Sequence, residues 1–393
     1  MGKEIELSTA ITDIAAGPFG SNLKVECFVP SGFPIIDGAN LKGYKVTDNI
    51  TKFVTEEKAR SLSRSIAHRG DVIVTISGTI GQIAYIPEDS LYDEYLCSQR
   101  QFRVSFDSSM VYVPYLVFYF HTFEGQNKIL SFANQTGVPA LSQPLKNFKK
   151  IRLCLPSLQE QRRIASIVET INDKIENNIK INDNLQQQAA ALFANFYDQA
   201  ETEVGFTEMI QILGGGTPKT GESSYWNGDI PFFTPKDVGF PYTLTTEKTI
   251  TEEGLAHCNS RLYPINTVFV TARGTVGKVG LPGVPMAMNQ SCYALVGKDT
   301  HQLLVYFYTL KAVDRLKHKA SGAVFDAITT RDFEAENIMK LSDDDTKAFL
   351  DVAEPIYQAV LNNSIENLRL SELRDSLLPK LMNGEIDVTD IRL

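Results

Sequence analysis

The stretch Ala272-Arg-Gly-Thr-Val-Gly277-Lys278 looks superficially like a phosphate-cradling loop. A loop of the form GxxxxGK[ST] needs glycine at its first place and a hydroxyl after the lysine, and those places hold Ala272 and Val279. The related stretch Ser77-Gly-Thr-Ile-Gly81 is followed by Gln82 instead of lysine, so both read as tight turns between strands. Asp37, Asp48, Glu56, Glu57 and Lys58 have the residue types of a nuclease cluster, but Glu247-Lys248 in the second half does not repeat the spacing, and a charged surface turn explains them better. The five histidines lack metal-ligand spacing, and the five cysteines contain no CxxC; neither a zinc site nor a disulfide framework is expected, only reduced thiols. There is no [DN]PP[YF] stretch for amino-methylation of adenine and no GxGxxG opening a helix, so S-adenosylmethionine binding is not expected in this chain. What remains suits recognition. The two turns, with Ser77 and Thr79 in one and Arg273 and Thr275 in the other, place small residues and backbone amides where another backbone can approach closely. The plainer reading, that these glycines only permit the turn, stays open.

The longest helical pattern in the chain must position these turns. Ser157-Leu-Gln-Glu160 is a capping box. Apolar or small residues then recur at steps of four and three: Ile164, Val168, Ile171, Ile175, Asn178, Asn182, Leu185, Ala189, Leu192 and Phe196. The same seam returns 185 residues later as Phe349, Ala353, Ile356, Val360, Asn363, Asn367, Leu370, Arg374, Leu377 and Leu381. Such a seam makes a helix of roughly 50 Å, too long to be buried in one small domain. Antiparallel packing about the seam midpoints sets Asn178 and Asn182 against Asn363 and Asn367, where a polar pair fixes helix register; the plainer reading, solvated asparagines on loosely packed helices, stays open. Pro355 is expected to kink the second helix or to lie in its first turn. Arg374 is expected to snorkel outward.

The repeat extends to the globular segments. Gly70-Asp-Val-Ile-Val-Thr-Ile-Ser-Gly-Thr-Ile-Gly81 is answered by Asn266-Thr-Val-Phe-Val-Thr-Ala-Arg-Gly-Thr-Val-Gly277, Pro34–Asp37 by Pro231–Thr234, and Ser98-Gln99 by Asn289-Gln290. The order is therefore globular (1–156), helix (157–200), globular (201–341), helix (342–383), with a C-terminal segment (384–393). Each globular part reads as an α+β unit with one helical stretch, Pro114–Phe132 in the first and His301–Lys319 in the second. Residues 201–209 read as a linker, and Gly384–Leu393 as an extended segment able to pair with the N-terminus.

The 393 residues suffice for two or three domains, and 43% hydrophobic with 22% charged residues is an ordinary globular composition. No apolar run approaches the roughly 20 residues of a membrane span, and the N-terminus lacks a signal-peptide pattern, so a cytoplasmic location is expected. The net charge of −9 argues at first against nucleic acid, but it is unevenly spread. Residues 1–155 carry +1, 156–200 carry −2, 201–341 carry −2 and 342–393 carry −6. Near-neutral globular parts can each present a basic face, while the acidic helices suit water or protein partners.

Two globular units each followed by a long helix, the phrase Leu158-Gln-Glu-Gln-Arg-Arg-Ile164, the duplicated GT[IV]G turns and the ending Leu377-Leu-Pro-Lys-Leu-Met-Asn-Gly-Glu-Ile386 resemble the specificity subunit of type I restriction-modification systems. The resemblance covers essentially the whole chain. It departs where Ser342-Asp-Asp-Asp-Thr346 stands in place of the second helix-opening phrase, leaving the start of that helix open. It implies a non-catalytic reader of double-stranded DNA: two α+β target recognition domains separated by two long antiparallel coiled-coil helices, in a pseudo-two-fold internal repeat. Each domain is then expected to read one half of an asymmetric target, with the helices setting a centre separation of about 15 base pairs. The resemblance further implies two methyltransferase subunits using S-adenosylmethionine, and restriction subunits driven by ATP with Mg, with no cofactor in this chain and no membrane contact.

On that reading, base readout favours Gln99, Arg100, Gln135 and Gln143 in the first unit, and Arg273, Lys278, Asn289, Gln290 and Arg331 in the second. Lys219, Lys236, Lys317 and Lys319 are candidates for phosphate, and Ser77, Thr79 and Thr275 for close backbone approach. Two other classes compete. A coiled-coil adaptor without DNA specificity predicts no salt-sensitive duplex binding, and a self-sufficient nuclease or methyltransferase predicts turnover by the single chain.

Overall fold

The structure, a computed structural model, describes residues 2–134, 137–239, 241–319 and 327–389. The chain divides into two compact units, Met1–Asp173 with Ser371–Leu393, and Lys174–Leu370.

Unit 1 contains, in order, β1 (Lys3–Glu6), β2 (Ile11–Ala16), β3 (Phe33–Ile36), β4 (Ile66–His68), β5 (Val72–Thr75), β6 (Ile83–Tyr85), β7 (Glu94–Cys97), β8 (Gln101–Phe106), α1 (Val113–His121), α2 (Phe123–Leu130) and β9 (Arg152–Leu155). The long helix α3 (Leu158–Gln199) follows. The main sheet is antiparallel in the order β2, β8, β5, β6, and the all-buried Val-Ile-Val-Thr run of β5 lies in its interior. A second sheet joins β3 in parallel to β7, and β7 antiparallel to β4. The helical stretch anticipated over 114–132 is broken at Thr122, whose hydroxyl accepts from Gly125 N at 3.1 Å and starts α2.

Unit 2 repeats this with β10 (Thr202–Gly205), β11 (Ile210–Gly214), β12 (Trp226–Phe233), β13 (Val268–Thr271), β14 (Val279–Pro282), β15 (Ala287–Met288), β16 (Cys292–Gly297), α4 (Gln302–Lys319) and β17 (Asn337–Lys340), ahead of the long helix α5 (Asp343–Met382). Its main sheet runs β11, β16, β13, β14 with the same antiparallel pairings and adds a fifth strand, Tyr242–Thr243, in parallel beside β14, so the sequence repeat is a repeat of topology in four strands. β12 joins β15 in parallel, as β3 joins β7.

Residues 201–209 are not a linker: β10 pairs antiparallel with β17, from Thr202 opposite Lys340 to Gly205 opposite Asn337. Likewise β1 pairs with β9, Lys3 opposite Leu155, rather than with the C-terminal segment. That segment instead tucks Val388 into the unit 1 core, while Thr389 O accepts from Arg163 Nη1 at 3.1 Å.

In α3 the capping serine behaves as expected, Ser157 Oγ accepting from Glu160 N at 3.3 Å. Gln161, fully buried, fastens the helix to unit 1: its Nε2 donates to Met110 O and Pro156 O, and its Oε1 accepts from Tyr112 N at 2.8 Å. The start of α5 is settled by Ser342, whose Oγ accepts from Asp345 N at 3.1 Å, followed by three aspartates favourable at a helix N-terminus. Pro355 lies well inside α5 and not in its first turn; it is exposed, where the carbonyl it leaves unpaired can reach water.

The seam is buried or half-buried along its length. In unit 1, Ile164 and Val168 of α3 and Leu378 and Leu381 of α5 pack into the core around α1. In unit 2, Ala189, Phe193 and Tyr197 of α3 and Phe349, Ala353 and Tyr357 of α5 do the same around α4, with Phe193 stacked on Phe307 at 4.9 Å. The buried line moves from Leu185, Leu192 and Phe196 to Gln186, Phe193 and Tyr197, the drift expected of a 3.6-residue helix against a 3.5-residue repeat.

Within unit 2 the asparagines meet as the antiparallel seam demands. Asn178 Nδ2 donates to Asn367 Oδ1 and Asn363 Nδ2 to Asn182 Oδ1, both at 2.8 Å. Asn182 also donates to Val360 O at 3.3 Å, and Asn178 to Glu366 at 2.7 Å, which Lys174 reaches as well. Arg374 does not snorkel outward. Its guanidinium, on a side chain 19% exposed, donates to Asn172 at 3.0 Å and lies 5.4 Å from the Tyr44 ring centre, so an acceptor and an aromatic face retain it.

Candidate nucleic-acid interface

The hairpin turns joining β5 to β6 and β13 to β14 are forced by backbone geometry. Gly78 and Gly81 have φ of 89°, and Gly274 and Gly277 have φ of 83° and 74°. Side chains rarely adopt these values, so both GT[IV]G phrases are glycine-dependent turns. A second segment runs along each turn. Gly78 N donates to Pro139 O and Leu141 N to Ile76 O; in unit 2, Ile328 N donates to Ala272 O.

Each turn forms one wall of a cleft. In unit 1 a cleft of about 590 Å³ gathers Ser77, Thr79, Gln99 and Arg100 with Asp37 and Lys52. In unit 2 a cleft of about 430 Å³ gathers Arg273, Thr275, Asn289 and Lys236 with Glu247 and Lys248. The opposite wall is in both cases the turn leading into β8 or β16, fixed by Ile76 N donating to Arg100 O at 2.6 Å and by Ala272 N donating to Ser291 O at 2.8 Å.

The clefts are mixed in charge. Asp37 pairs with Lys52 at 2.7 Å and accepts from Ala39 N. Burial pushes the Asp37 carboxyl up, but the Lys52 hydrogen bond and the Ala39 amide outweigh it and hold it below its ordinary value. In unit 2, Lys236 stands 3.7 Å from Glu247, Thr275 Oγ1 donates to Pro235 O, and Lys248 lies 5.6 Å from the Trp226 ring centre.

Other candidates fall elsewhere. Lys278 and Lys317 line a separate unit 2 pocket beside Gly277. Gln290 accepts from Thr217, whereas Asn289, within the cleft, accepts from Ser291 N at 3.0 Å. Lys219 is exposed, and its carbonyl accepts from the Trp226 indole. Arg331 is exposed on the short helix Thr330–Glu334. Gln143 adopts a left-handed φ of 41° just before the short helix Pro144–Lys149, outside the cleft. Lys319 is taken up by an ion pair with Glu336, a carboxylate only 1% exposed, which gives that ammonium a partner inside the fold. Gln135 lies outside the described residues.

Sequence reasoning missed Lys52 and Gln101, and set Lys248 aside as part of a charged surface turn. Lys52 and Lys248 stand at the same offset as the two GT[IV]G turns, a signal that was available. Gln101 was not, because its burial at the unit 1 cleft depends on the sheet. Among the described residues no cluster of His, Cys, Asp or Glu is arranged to hold a metal, and no helix is long and apolar enough to cross a membrane.

A sheet built twice in one order, bearing the same polar cleft beside the same glycine turn and followed each time by a helix of 40 or 42 residues, defines a duplicated recognition protein. The chain belongs to the type I restriction modification DNA specificity family, whose model matches residues 29–187 and 202–340, and it is a DNA sequence-specificity subunit. It is 23% identical to the type I restriction enzyme HindI specificity subunit of Haemophilus influenzae, over 78% of this chain and 84% of that one. It is 32% identical to the MjaIX specificity subunit of Methanocaldococcus jannaschii over 30% and 29% of the two chains. The crystal structure of a type I restriction-modification S subunit from M. genitalium matches the fold with a TM-score of 0.60 at 12% identity, covering 97% of this chain and 96% of that one.

Proposed function

We propose that each unit reads one half of a bipartite, asymmetric duplex DNA target through its cleft, and that the paired long helices set the number of unread base pairs between the halves. The observation that carries this is the repeated cleft: the walls come from the same strands, but the side chains differ, so the two units should read different bases. The helix lengths support a spacing role, since 42 and 40 residues extend about 60 Å. On this reading the acidic helices dock two methyltransferase subunits, with restriction subunits joining the complex. This chain is non-catalytic and works in the cytoplasm; S-adenosylmethionine, ATP and Mg belong to its partners.

The test is to express the chain with the methyltransferase encoded beside it and to sequence the host DNA for modified adenines. A split motif with two different halves and a fixed spacer is expected. A stable complex with a methyltransferase shown independently to be competent, but with no split motif, would overturn the reading in favour of an adaptor.

A further inference from the structure

We propose that each half-site contains a guanine read in the major groove by a single arginine, Arg100 in unit 1 and Arg273 in unit 2. The inference rests on the split-site reading and names the chemistry each cleft selects. The repeat sets Arg100 in the place of Ser291, and Ser77 in the place of Arg273. Each cleft therefore holds one arginine, entering from opposite walls in the two units. Both arginines are exposed, and neither guanidinium has a hydrogen bond or ion pair among the described residues. Most of the guanidinium groups elsewhere in unit 1 are engaged: Arg60, Arg69 and Arg103 in ion pairs, and Arg163 with a backbone carbonyl. A side-chain carbon built on Gly78 would lie 3.7 Å from Arg100 Nη1, which places this guanidinium over the glycine turn.

The mixed charge of the clefts separates base readout from phosphate binding. A phosphate only accepts, so a site built for it offers donors alone. These clefts also present carboxylates, Asp37 paired with Lys52 in one and Glu247 beside Lys236 in the other, which add acceptors that suit the alternating donors and acceptors of base edges. An independent sign comes from Gln101, which lines the unit 1 cleft and is fully buried. Its Oε1 accepts from Ser98 Oγ at 3.1 Å, while its Nε2 has no partner among the described residues. A buried donor without a partner is costly, and a turn of the Gln101 amide toward the unit 1 cleft would let an entering acceptor satisfy it. Guanine presents two adjacent acceptors, O6 and N7, which match the guanidinium fork.

The test compares Arg100→Ala and Arg273→Ala, each in the full chain co-expressed with the methyltransferase partner, by sequencing modified adenines. Each variant should lose about 10- to 100-fold of the preference for guanine at one position of one half, with the other half and the spacer unchanged. Should the Arg100→Ala complex fail to assemble, Arg100→Lys keeps the charge but lacks the fork, and it should lose the same preference. A uniform fall in methylation at an unchanged motif would mark a phosphate contact and overturn the inference. So would a native split motif with no guanine in one of its halves, an outcome that leaves the split-site reading standing. Absence of any split motif would instead fail that reading itself.

Discussion

Unit 1 and unit 2 share the order of four antiparallel strands in their main sheets and the glycine turn that opens each cleft, yet the charges lining those clefts have moved. Arginine stands on the β8 side in one and on the glycine-turn side in the other, and Asp37 with Lys52 is answered by Glu247 with Lys236. The positions that hold the walls together are backbone hydrogen bonds and left-handed glycines, which do not depend on the neighbouring side chains. A scaffold fixed by its backbone leaves the cleft residues free to vary, and that freedom is what a reader of different sequences needs.

The largest expected effect breaks the equivalence of the units. Phe193 on α3 packs into the unit 2 core, and Leu378, its counterpart on α5, into that of unit 1. Phe193→Ala should destabilise unit 2 by about 3–5 kcal/mol through the lost burial and the cavity left behind. Hydrogen exchange followed separately in each unit should show faster opening in unit 2 alone; equal loss in both would mean that the units do not unfold independently.

A smaller effect sharpens the helical register. Asn182→Leu removes the acceptor of Asn363 Nδ2 and should cost about 1–3 kcal/mol, because a partly buried amide loses its partner. Asn182→Leu with Asn363→Leu should recover part of that loss in a thermal melt while weakening the register. If the double substitution costs the sum of the two singles, the pair is not coupled.

The smallest effect is acid-dependent. Asp13, held down chiefly by its hydrogen bond to Arg103, and Asp37, held down by Lys52 against burial, both have carboxyls below their ordinary values. Their contribution is complete above the usual carboxylate range of about 4 and is lost as pH falls through the depressed folded values. Asp37→Asn should therefore flatten the acid limb of unit 1 stability and leave that of unit 2 unchanged, as read by unfolding at a series of pH values.

How much of this could be read from the sequence follows from the range of each interaction. The seams, the asparagine register and the GT[IV]G turns are local or strictly periodic, and all were readable. Thr202–Gly205 looked like a linker because it is polar and its partner strand, Asn337–Lys340, is far along the chain. Arg374 was expected in water because no local residue reveals that Tyr44 and Asn172 surround it. The cleft was half visible: residue types suggested Arg100 and Arg273, but only the folded sheets bring Asp37, Lys52 and Gln101 beside Arg100. The engagement of Lys319 by Glu336 was likewise hidden, since it depends on how the end of α4 meets the segment before β17.

The most direct test of the central claim replaces residues 201–341 with the corresponding segment of another specificity subunit and maps modified adenines in cells that also express the methyltransferase partner. The account predicts that one half of the split motif changes while the other half and the spacer length stay as they were. A change in both halves, or in neither, would contradict it.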